Sequence, residues 1–127
     1  MSAVFKKVML SMLMLMTLVL ASCENDNWRL ENEIIGSWSY YYEDAALYEE
    51  VTYNFTPSGK WSYLYIYEDI FGRYQSEVDG GYYTISYGRL NLYSNFYGDS
   101  FWYEVDIKGN RMYLWDGEYE TELYRLR

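Results

Sequence analysis

Few side chains of this sequence are suited to chemistry beyond hydrogen bonding. The chain has no histidine, and Cys23 is its single cysteine. Histidine and cysteine supply many of the general bases, nucleophiles and zinc ligands of proteins, so this composition argues against His- or Cys-dependent catalysis and against the usual zinc sites. We therefore expect no metal site and no catalytic cofactor.

Carboxylates are the groups that remain for catalysis. Glycoside hydrolysis uses two acids held at a fixed separation across a cleft. The candidate acids of this chain alternate along predicted strands, on faces that we expect to point outward. They are Glu104, Asp106, Glu118, Glu120 and Glu122. Solvated surface is the expected role of such acids, so we predict that the protein is not an enzyme.

Aromatic side chains form the most prominent pattern. The chain has 18 Tyr and 5 Trp. These residues favour strands and also suit binding sites, because each combines a flat apolar face with a polar group. The candidate ligand-binding residues are a row at strand spacing, Trp61, Tyr63, Tyr65 and Tyr67, together with Tyr103 and Trp115. Core and cross-strand packing is the alternative use, and the sequence leaves open which face of strand 60–67 points inward.

Short strands are the elements that must position these residues. Period-two alternation recurs between turn signals after Trp28, and a helical turn is predicted only at 27–35. Strands are predicted at 37–42, 49–56, 60–67, 73–78, 82–86, 89–94, 101–108, 111–115 and 118–126. Turns are predicted at Pro57-Ser58-Gly59, Asp79-Gly80-Gly81, Gly109-Asn110 and Asp116-Gly117.

The number of strands and the shortness of their connections predict the architecture. Eight or nine short strands would expose sheet edges unless the sheet closed on itself. The predicted fold class is therefore all-β, a small antiparallel up-and-down barrel of about eight strands. A two-sheet sandwich is the competing architecture, but it normally needs longer crossing connections than this sequence has.

The first 22 residues have the layout of an export signal. Lys6 and Lys7 provide positive charge, residues 8–20 are almost wholly apolar, and Ala21-Ser22 are small. A spanning helix needs roughly 20 apolar residues, and this run is shorter. A cleaved signal peptide is therefore predicted for residues 1–22.

Leu20-Ala21-Ser22-Cys23 resembles the lipobox of bacterial lipoproteins. The resemblance implies cleavage before Cys23 and attachment of diacylglyceryl and palmitate lipid to that residue, which would anchor the protein firmly to a membrane. An ordinary secretory signal with a chance cysteine is the alternative. Glu24 and Asp26 loosely resemble the surface-export signal of Bacteroidetes lipoproteins, and a solvated tether is the alternative role of residues 24–27. We expect an outer-membrane lipoprotein, with a periplasmic and a surface-exposed location both open.

The size and net charge of the chain limit the classes of partner that it can bind. After signal removal about one hundred residues remain, the size of one domain, which we divide into a lipidated cysteine and tether at 23–35 and a barrel at 36–127. Eight basic residues then oppose nineteen acidic ones, a net charge of −11. Nucleic-acid binding needs basic patches and is not expected. Solubility, or an acidic face that docks a basic protein partner, accounts for the charge.

Several motifs together suggest a family. They are Ile34-Ile35-Gly36-Ser37-Trp38, Tyr53-Asn54-Phe55-Thr56-Pro57-Ser58-Gly59-Lys60, Gly81-Tyr82-Tyr83-Thr84-Ile85 with Leu90-Asn91-Leu92, and Met112-Tyr113-Leu114 with Leu123-Tyr124-Arg125. In this order and spacing they resemble the small lipocalin-like lipoprotein domains of Bacteroidetes. The resemblance implies an eight-stranded calycin-type barrel in which Gly36 and Trp38 form a structural element under the barrel floor. It implies a fold more than a function.

The expected function is that of a membrane-anchored lipoprotein with a non-enzymatic binding barrel. Its expected ligand is a small apolar molecule or a glycan, bound at the mouth or on an aromatic face. The alternative is a protein-interaction or inhibitor module that uses its acidic face, for example a lysozyme inhibitor.

Overall fold

Eight strands account for the period-two pattern of the sequence. They pair antiparallel in chain order, and β1 also pairs with β8, so the sheet closes into an up-and-down barrel. Closure removes the free sheet edges. The predicted barrel is confirmed and the two-sheet sandwich is excluded. The strands are β1 (Gly36–Glu43), β2 (Leu47–Phe55), β3 (Lys60–Asp69), β4 (Tyr74–Ser86), β5 (Arg89–Ser94), β6 (Ser100–Lys108), β7 (Arg111–Trp115) and β8 (Glu120–Arg125).

One short helix precedes the barrel. The computed structural model describes residues 27–126, so the predicted signal peptide, the lipidation of Cys23 and the first residues of the tether lie outside the described residues. Helix α1 spans residues 27–33, which confirms the helical turn predicted at 27–35. Leu30 and Ile34 are buried in the core. The segment 27–35, assigned above to the tether, therefore contributes buried side chains to the core.

The core fills the end of the barrel that carries α1. Its side chains come from the inward-facing positions of the strands and from the α1 segment, and the eight strands that close the barrel all lie within the described residues. The buried apolar residues are Leu30, Ile34, Trp38, Phe55, Trp61, Ile85, Leu90, Leu92, Val105, Ile107, Met112, Leu114 and Leu123. Burial of such side chains contributes roughly 1.5–3 kcal/mol each relative to exposure.

Trp38 and Arg125 seal this closed end. The indole Nε1 of Trp38 donates a hydrogen bond to the Ile34 carbonyl oxygen at 2.8 Å. The guanidinium of Arg125 lies 4.2 Å from the centre of the Trp38 ring and donates to the carbonyl oxygens of Ile35 at 3.0 Å and Glu33 at 2.7 Å. Gly36 has a φ of 126°, a conformation that favours glycine. Gly36 and Trp38 thus lie at the barrel floor.

Asp79-Gly80-Gly81 does not form the predicted turn. These residues lie inside β4, a single strand of 13 residues that replaces the two predicted strands 73–78 and 82–86. A Cβ atom on Gly81 would lie 1.8 Å from the carbonyl oxygen of Tyr93, and one on Gly80 would lie 2.9 Å from that of Trp61. The glycines are needed because neighbouring backbones approach closely, which is a recognised use of glycine within strands.

Three of the four turns at the open end of the barrel contain an aspartate that accepts backbone hydrogen bonds. Oδ1 of Asp44 accepts from the N–H groups of Ala46 and Leu47 at 2.7 and 2.9 Å. Asp116 accepts in the same way from Glu118 and Tyr119, both at 2.8 Å. Asp69 accepts from the backbone N–H groups of Phe71 and Arg73 and from Nε of Arg73. Each carboxylate thereby satisfies turn donors that strand pairing leaves free.

These bonds lower the pKa of all three aspartates. For Asp44 the chief cause is the hydrogen bond from the Tyr42 hydroxyl, followed by its backbone bonds. For Asp69, burial raises the pKa, but the bonds from Arg73 and Phe71 outweigh it. For Asp116 the backbone N–H groups of Tyr119 and Glu118 lower the pKa. The ionised form of each side chain is thus favoured in the folded state.

We expect acid to weaken the fold through these turns. An unfolded aspartate has a pKa of about 3.9. Because the folded values are lower, the stabilisation is present above about pH 4 and is lost as the pH falls through the folded values. A variant with Asn at positions 44, 69 and 116 should therefore show a shallower fall in unfolding free energy on acidification, as measured by urea unfolding between about pH 2 and 6. Equal slopes for variant and parent would contradict this account.

Candidate functional site

The aromatic row of β3 points into the barrel. Phe55 of β2 pairs with Trp61, and Tyr53 pairs with Tyr63. Phe55 and Trp61 are both buried, whereas Leu64 on the other face of β3 is exposed. Because side chains alternate along a strand, Tyr65 and Tyr67 share the inner face with Trp61 and Tyr63. The structure thereby resolves the ambiguity that the sequence leaves at strand 60–67.

A cavity of about 270 Å³ lies above the packed core, toward the open end of the barrel. Three of the predicted ligand-binding residues meet there, namely Trp61, Tyr63 and Tyr103. Strands β2, β3, β4 and β6 and the loop at 95–99 supply its walls. The eight lining residues are Tyr53, Trp61, Tyr63, Glu77, Asp79, Tyr97, Phe101 and Tyr103. We call this space the mouth cavity.

The other predicted residues do not line the mouth cavity. Tyr65 borders an adjoining open recess formed with residues 74–77. Tyr67 also lies on the inner face of β3, where its hydroxyl donates a hydrogen bond to Asp69 at 3.3 Å. Trp115 lies on the outer face of β7, because its neighbour Leu114 is buried, and it borders a separate outer groove.

Contacts between rings hold the aromatic walls in position. The ring centres of Tyr53 and Tyr63 are 5.1 Å apart. Phe101 packs edge-on against Trp61 at 5.9 Å and against Tyr103 at 6.0 Å. Such geometries are the favoured ones for aromatic pairs. Nε1 of Trp61 also donates to the Tyr93 carbonyl oxygen at 3.1 Å. The rings therefore form a preorganised surface.

Two carboxylates face the same space. Asp79 Oδ1 accepts hydrogen bonds from the Ser94 hydroxyl at 2.7 Å and from the N–H of Gly80 at 2.8 Å. Glu77 Oε1 accepts from the Tyr97 hydroxyl at 2.9 Å. The Tyr97 backbone N–H in turn donates to Ser94 Oγ at 3.1 Å. This network joins the loop at 95–99 to β4 and fixes the acidic side of the mouth cavity.

Burial and charge act on the tyrosine hydroxyls. Burial raises the pKa of Tyr63 to about 12, and the negative charge of Glu77 adds to the effect. Burial also raises the pKa of Tyr53 and of Tyr103. These hydroxyls therefore stay protonated across the physiological pH range, where each can donate or accept a hydrogen bond.

Sequence reasoning missed the acidic side of this site. Asp79 was assigned to a turn, and Glu77 to a polar strand whose inner face was not identified. Both residues share the alternation of Trp61 and Tyr63, because Asp79 pairs with Tyr63 and Glu77 with Tyr65. The register between β3 and β4 can be assigned only when β4 is recognised as one strand. Tyr97 lies in a loop, and no sequence pattern connected it with Glu77.

The acids predicted to lie on outward faces do so on β6. Glu104 and Asp106 are exposed and alternate with buried Val105 and Ile107. Glu118 and Glu120 are also exposed. Within residues 27–126, no group of three or more Asp, Glu, Cys or His side chains is arranged to hold a metal ion. The described part of the chain likewise contains no helix with the length and apolar character needed to cross a membrane.

Comparison with known proteins gave no relative for this chain. No protein-family model matches it, and neither a curated protein nor a solved structure matches it. The fold and the geometry of the mouth cavity therefore carry the functional argument.

Proposed function

We propose that this protein is a non-enzymatic binding barrel that takes a small ligand in its mouth cavity. One observation carries the proposal: the barrel is packed at its α1 end but open above, where aromatic rings surround about 270 Å³. An eight-stranded barrel is just wide enough to be filled by side chains or to hold one small ligand. This chain combines the two, with a filled floor and an open mouth.

The lining favours a compact ligand that has both an apolar face and polar groups. The volume lies just below the roughly 300–1,000 Å³ typical of pockets for drug-sized molecules. The aromatic walls suit an apolar face, while the carboxylates and tyrosine hydroxyls suit hydrogen-bond donors. A single sugar unit fits this description better than a long acyl chain does. The sequence led us to expect either a small apolar molecule or a glycan, and the lining therefore favours the polar class of ligand.

The disposition of the inward acids supports binding over catalysis. Glu77 and Asp79 stand two residues apart on one strand, so their side chains lie side by side. Glycoside hydrolysis uses acids that flank the scissile bond from different sides. Each acid also has one oxygen engaged by a hydroxyl within the protein. Fixed, side-by-side carboxylates suit the recognition of a ligand.

Lipidation of Cys23 would orient the mouth away from the membrane. Helix α1 begins four residues after Cys23, and four residues span at most about 14 Å. The helix packs at the closed end, where Arg29 donates to the Ile107 carbonyl oxygen at 3.3 Å. The proposed outer-membrane anchor would thus hold the floor near the lipid and leave the mouth accessible to soluble ligands on either the periplasmic or the external side.

A second candidate function is the docking of a basic protein. It is favoured by an open groove of about 570 Å³ on the outer wall, where Glu104, Asp106 and Glu120 lie beside Trp115 and Lys108 is the basic residue among the lining. Binding through this face should weaken steeply with added salt. Substituting Glu104 and Asp106 should reduce it and leave ligand binding in the mouth cavity unchanged.

A binding panel tests the first proposal. Residues 24–127, which contain the whole barrel, are titrated by calorimetry with simple sugars, fatty acids and small aromatic compounds. We expect at least one compact ligand to bind, and Tyr63→Ala to weaken that binding about tenfold, the effect expected when a central aromatic contact is removed. Trp115→Ala is the matched control, because Trp115 lies on the outer face.

Two outcomes would overturn the proposal. One is the absence of binding by any compact compound. The other is an equal loss of affinity in Tyr63→Ala and Trp115→Ala, which would locate the ligand outside the mouth cavity.

A further inference from the structure

The charged residues that line the mouth cavity are all negative. Two of its eight lining residues, Glu77 and Asp79, are acidic and none is basic. The ion pairs that the structure records within residues 27–126 join other residues: Arg29 with Glu33, Arg73 with Asp69, Lys108 with Asp106, and Arg111 with Glu122. Within the described residues, neither acid of the cavity forms an ion pair. A ligand entering the cavity therefore meets two acids without protein counter-charges.

The hydrogen bonds of these acids are made with neutral donors only. Asp79 is held by the Ser94 hydroxyl and the Gly80 N–H, and Glu77 by the Tyr97 hydroxyl. In each case the recorded bonds go to one carboxylate oxygen, Oδ1 of Asp79 and Oε1 of Glu77. The positions of the acids are thus fixed while their charge is not neutralised. Ser94, whose hydroxyl donates to Asp79, is itself buried, with 5% of its surface exposed.

The aromatic walls of the mouth cavity also favour a positively charged ligand. The face of an aromatic ring carries partial negative charge and attracts cations within about 6 Å of its centre. Five aromatic rings besides Tyr97 line the cavity, from Tyr53, Trp61, Tyr63, Phe101 and Tyr103. The negative charge of Glu77 is felt by the Tyr63 hydroxyl, whose pKa it helps to raise. Rings and carboxylates at this open site therefore both favour a positively charged ligand.

From these observations we infer that the ligand of the mouth cavity is a small organic cation, an ammonium group carried on a compact apolar body. This inference rests on the proposed binding function and narrows it. The ammonium group lies between Glu77 and Asp79, and the apolar body lies against the rings of Tyr63 and Phe101. An anionic ligand is repelled by the carboxylates, and a neutral one gains only the contacts with rings and hydroxyls.

Three ligands that share one ring but differ in charge test the inference. Phenethylamine, 2-phenylethanol and 3-phenylpropionate are titrated by calorimetry into residues 24–127 at low ionic strength, with methyl glucoside as a neutral sugar. We expect the amine to bind at least about tenfold more tightly than the alcohol. This is the size of effect that a charge-assisted hydrogen bond gives. This advantage should shrink in 1 M salt, where charges are screened beyond about 3 Å.

Variants identify the groups responsible. Glu77→Gln should lower the affinity for the amine about tenfold and that for the alcohol by much less, because the amide keeps the shape and an acceptor oxygen and removes the charge. Asp79→Asn should act in the same direction. Glu104→Gln removes an acid from the outer wall and should change neither affinity. The Glu77 side chain is exposed, and its hydrogen bond comes from the exposed loop residue Tyr97, so this variant should fold even if the Asp79 variant does not.

The outcomes separate this inference from the proposed function. Equal affinities for amine and alcohol, or an unchanged amine affinity in Glu77→Gln, would overturn the cation inference. If methyl glucoside or another neutral compound then binds in a manner sensitive to Tyr63→Ala, the binding barrel stands without the cation. If no compound binds, both are overturned.

Discussion

Replacing Trp38 with alanine is expected to lower the free energy of unfolding by about 3–5 kcal/mol. The side chain is 0% exposed. The substitution would leave a large void at the barrel floor, and it would also remove the hydrogen bond to the Ile34 carbonyl oxygen and the ring against which Arg125 stacks. Because domains of this size are typically stable by about 5–15 kcal/mol, the loss is a large share of the total.

The measurement is urea unfolding of residues 24–127, followed by circular dichroism. Trp115→Ala is the control, since it makes the same change at a residue that is 39% exposed on the outer wall. We expect the control to cost less than about 1 kcal/mol, as surface substitutions usually do. Similar losses in the two variants would contradict the assignment of Trp38 to the floor of the core.

Gly81→Ala is expected to lower the free energy of unfolding by about 3 kcal/mol, the upper part of the usual range for overpacking. The added Cβ would lie 1.8 Å from the backbone carbonyl oxygen of Tyr93. A backbone oxygen cannot rotate away as a long side chain can, so β4 and β5 must separate at this point. The clash also lies next to Asp79, whose position depends on the same strand.

Gly98→Ala provides the comparison. Gly98 has a φ of +70°, and a Cβ there would meet nothing within 4 Å. Its substitution should cost only the strain of the left-handed conformation, roughly 1–2 kcal/mol. Thermal and urea unfolding measure both variants. If Gly81→Ala cost no more than Gly98→Ala, residues 79–81 would behave as an open turn, and the continuous strand β4 would be contradicted.

The sequence by itself determined the fold class and most of its elements. Alternation of apolar and polar residues reports which residues share a face, and short turn signals report where strands end, so both can be read locally. Pro57-Ser58-Gly59, Gly109-Asn110 and Asp116-Gly117 were all predicted as turns and all lie between strands. The helical turn at 27–35 and the outward faces of Glu104 and Asp106 were read in the same way.

Only the tertiary structure decided which faces form the mouth cavity and what completes it. Strand 60–67 has apolar side chains on both faces, and a shift of one residue in register would exchange them. The choice depends on the pairing of β3 with β2 and β4, which no local pattern contains. Gly80-Gly81 of β4 was predicted as a turn, because glycine occurs both in turns and where two backbones approach closely. Tyr97 meets Glu77 across 20 residues of sequence, a contact that exists only once the barrel has closed.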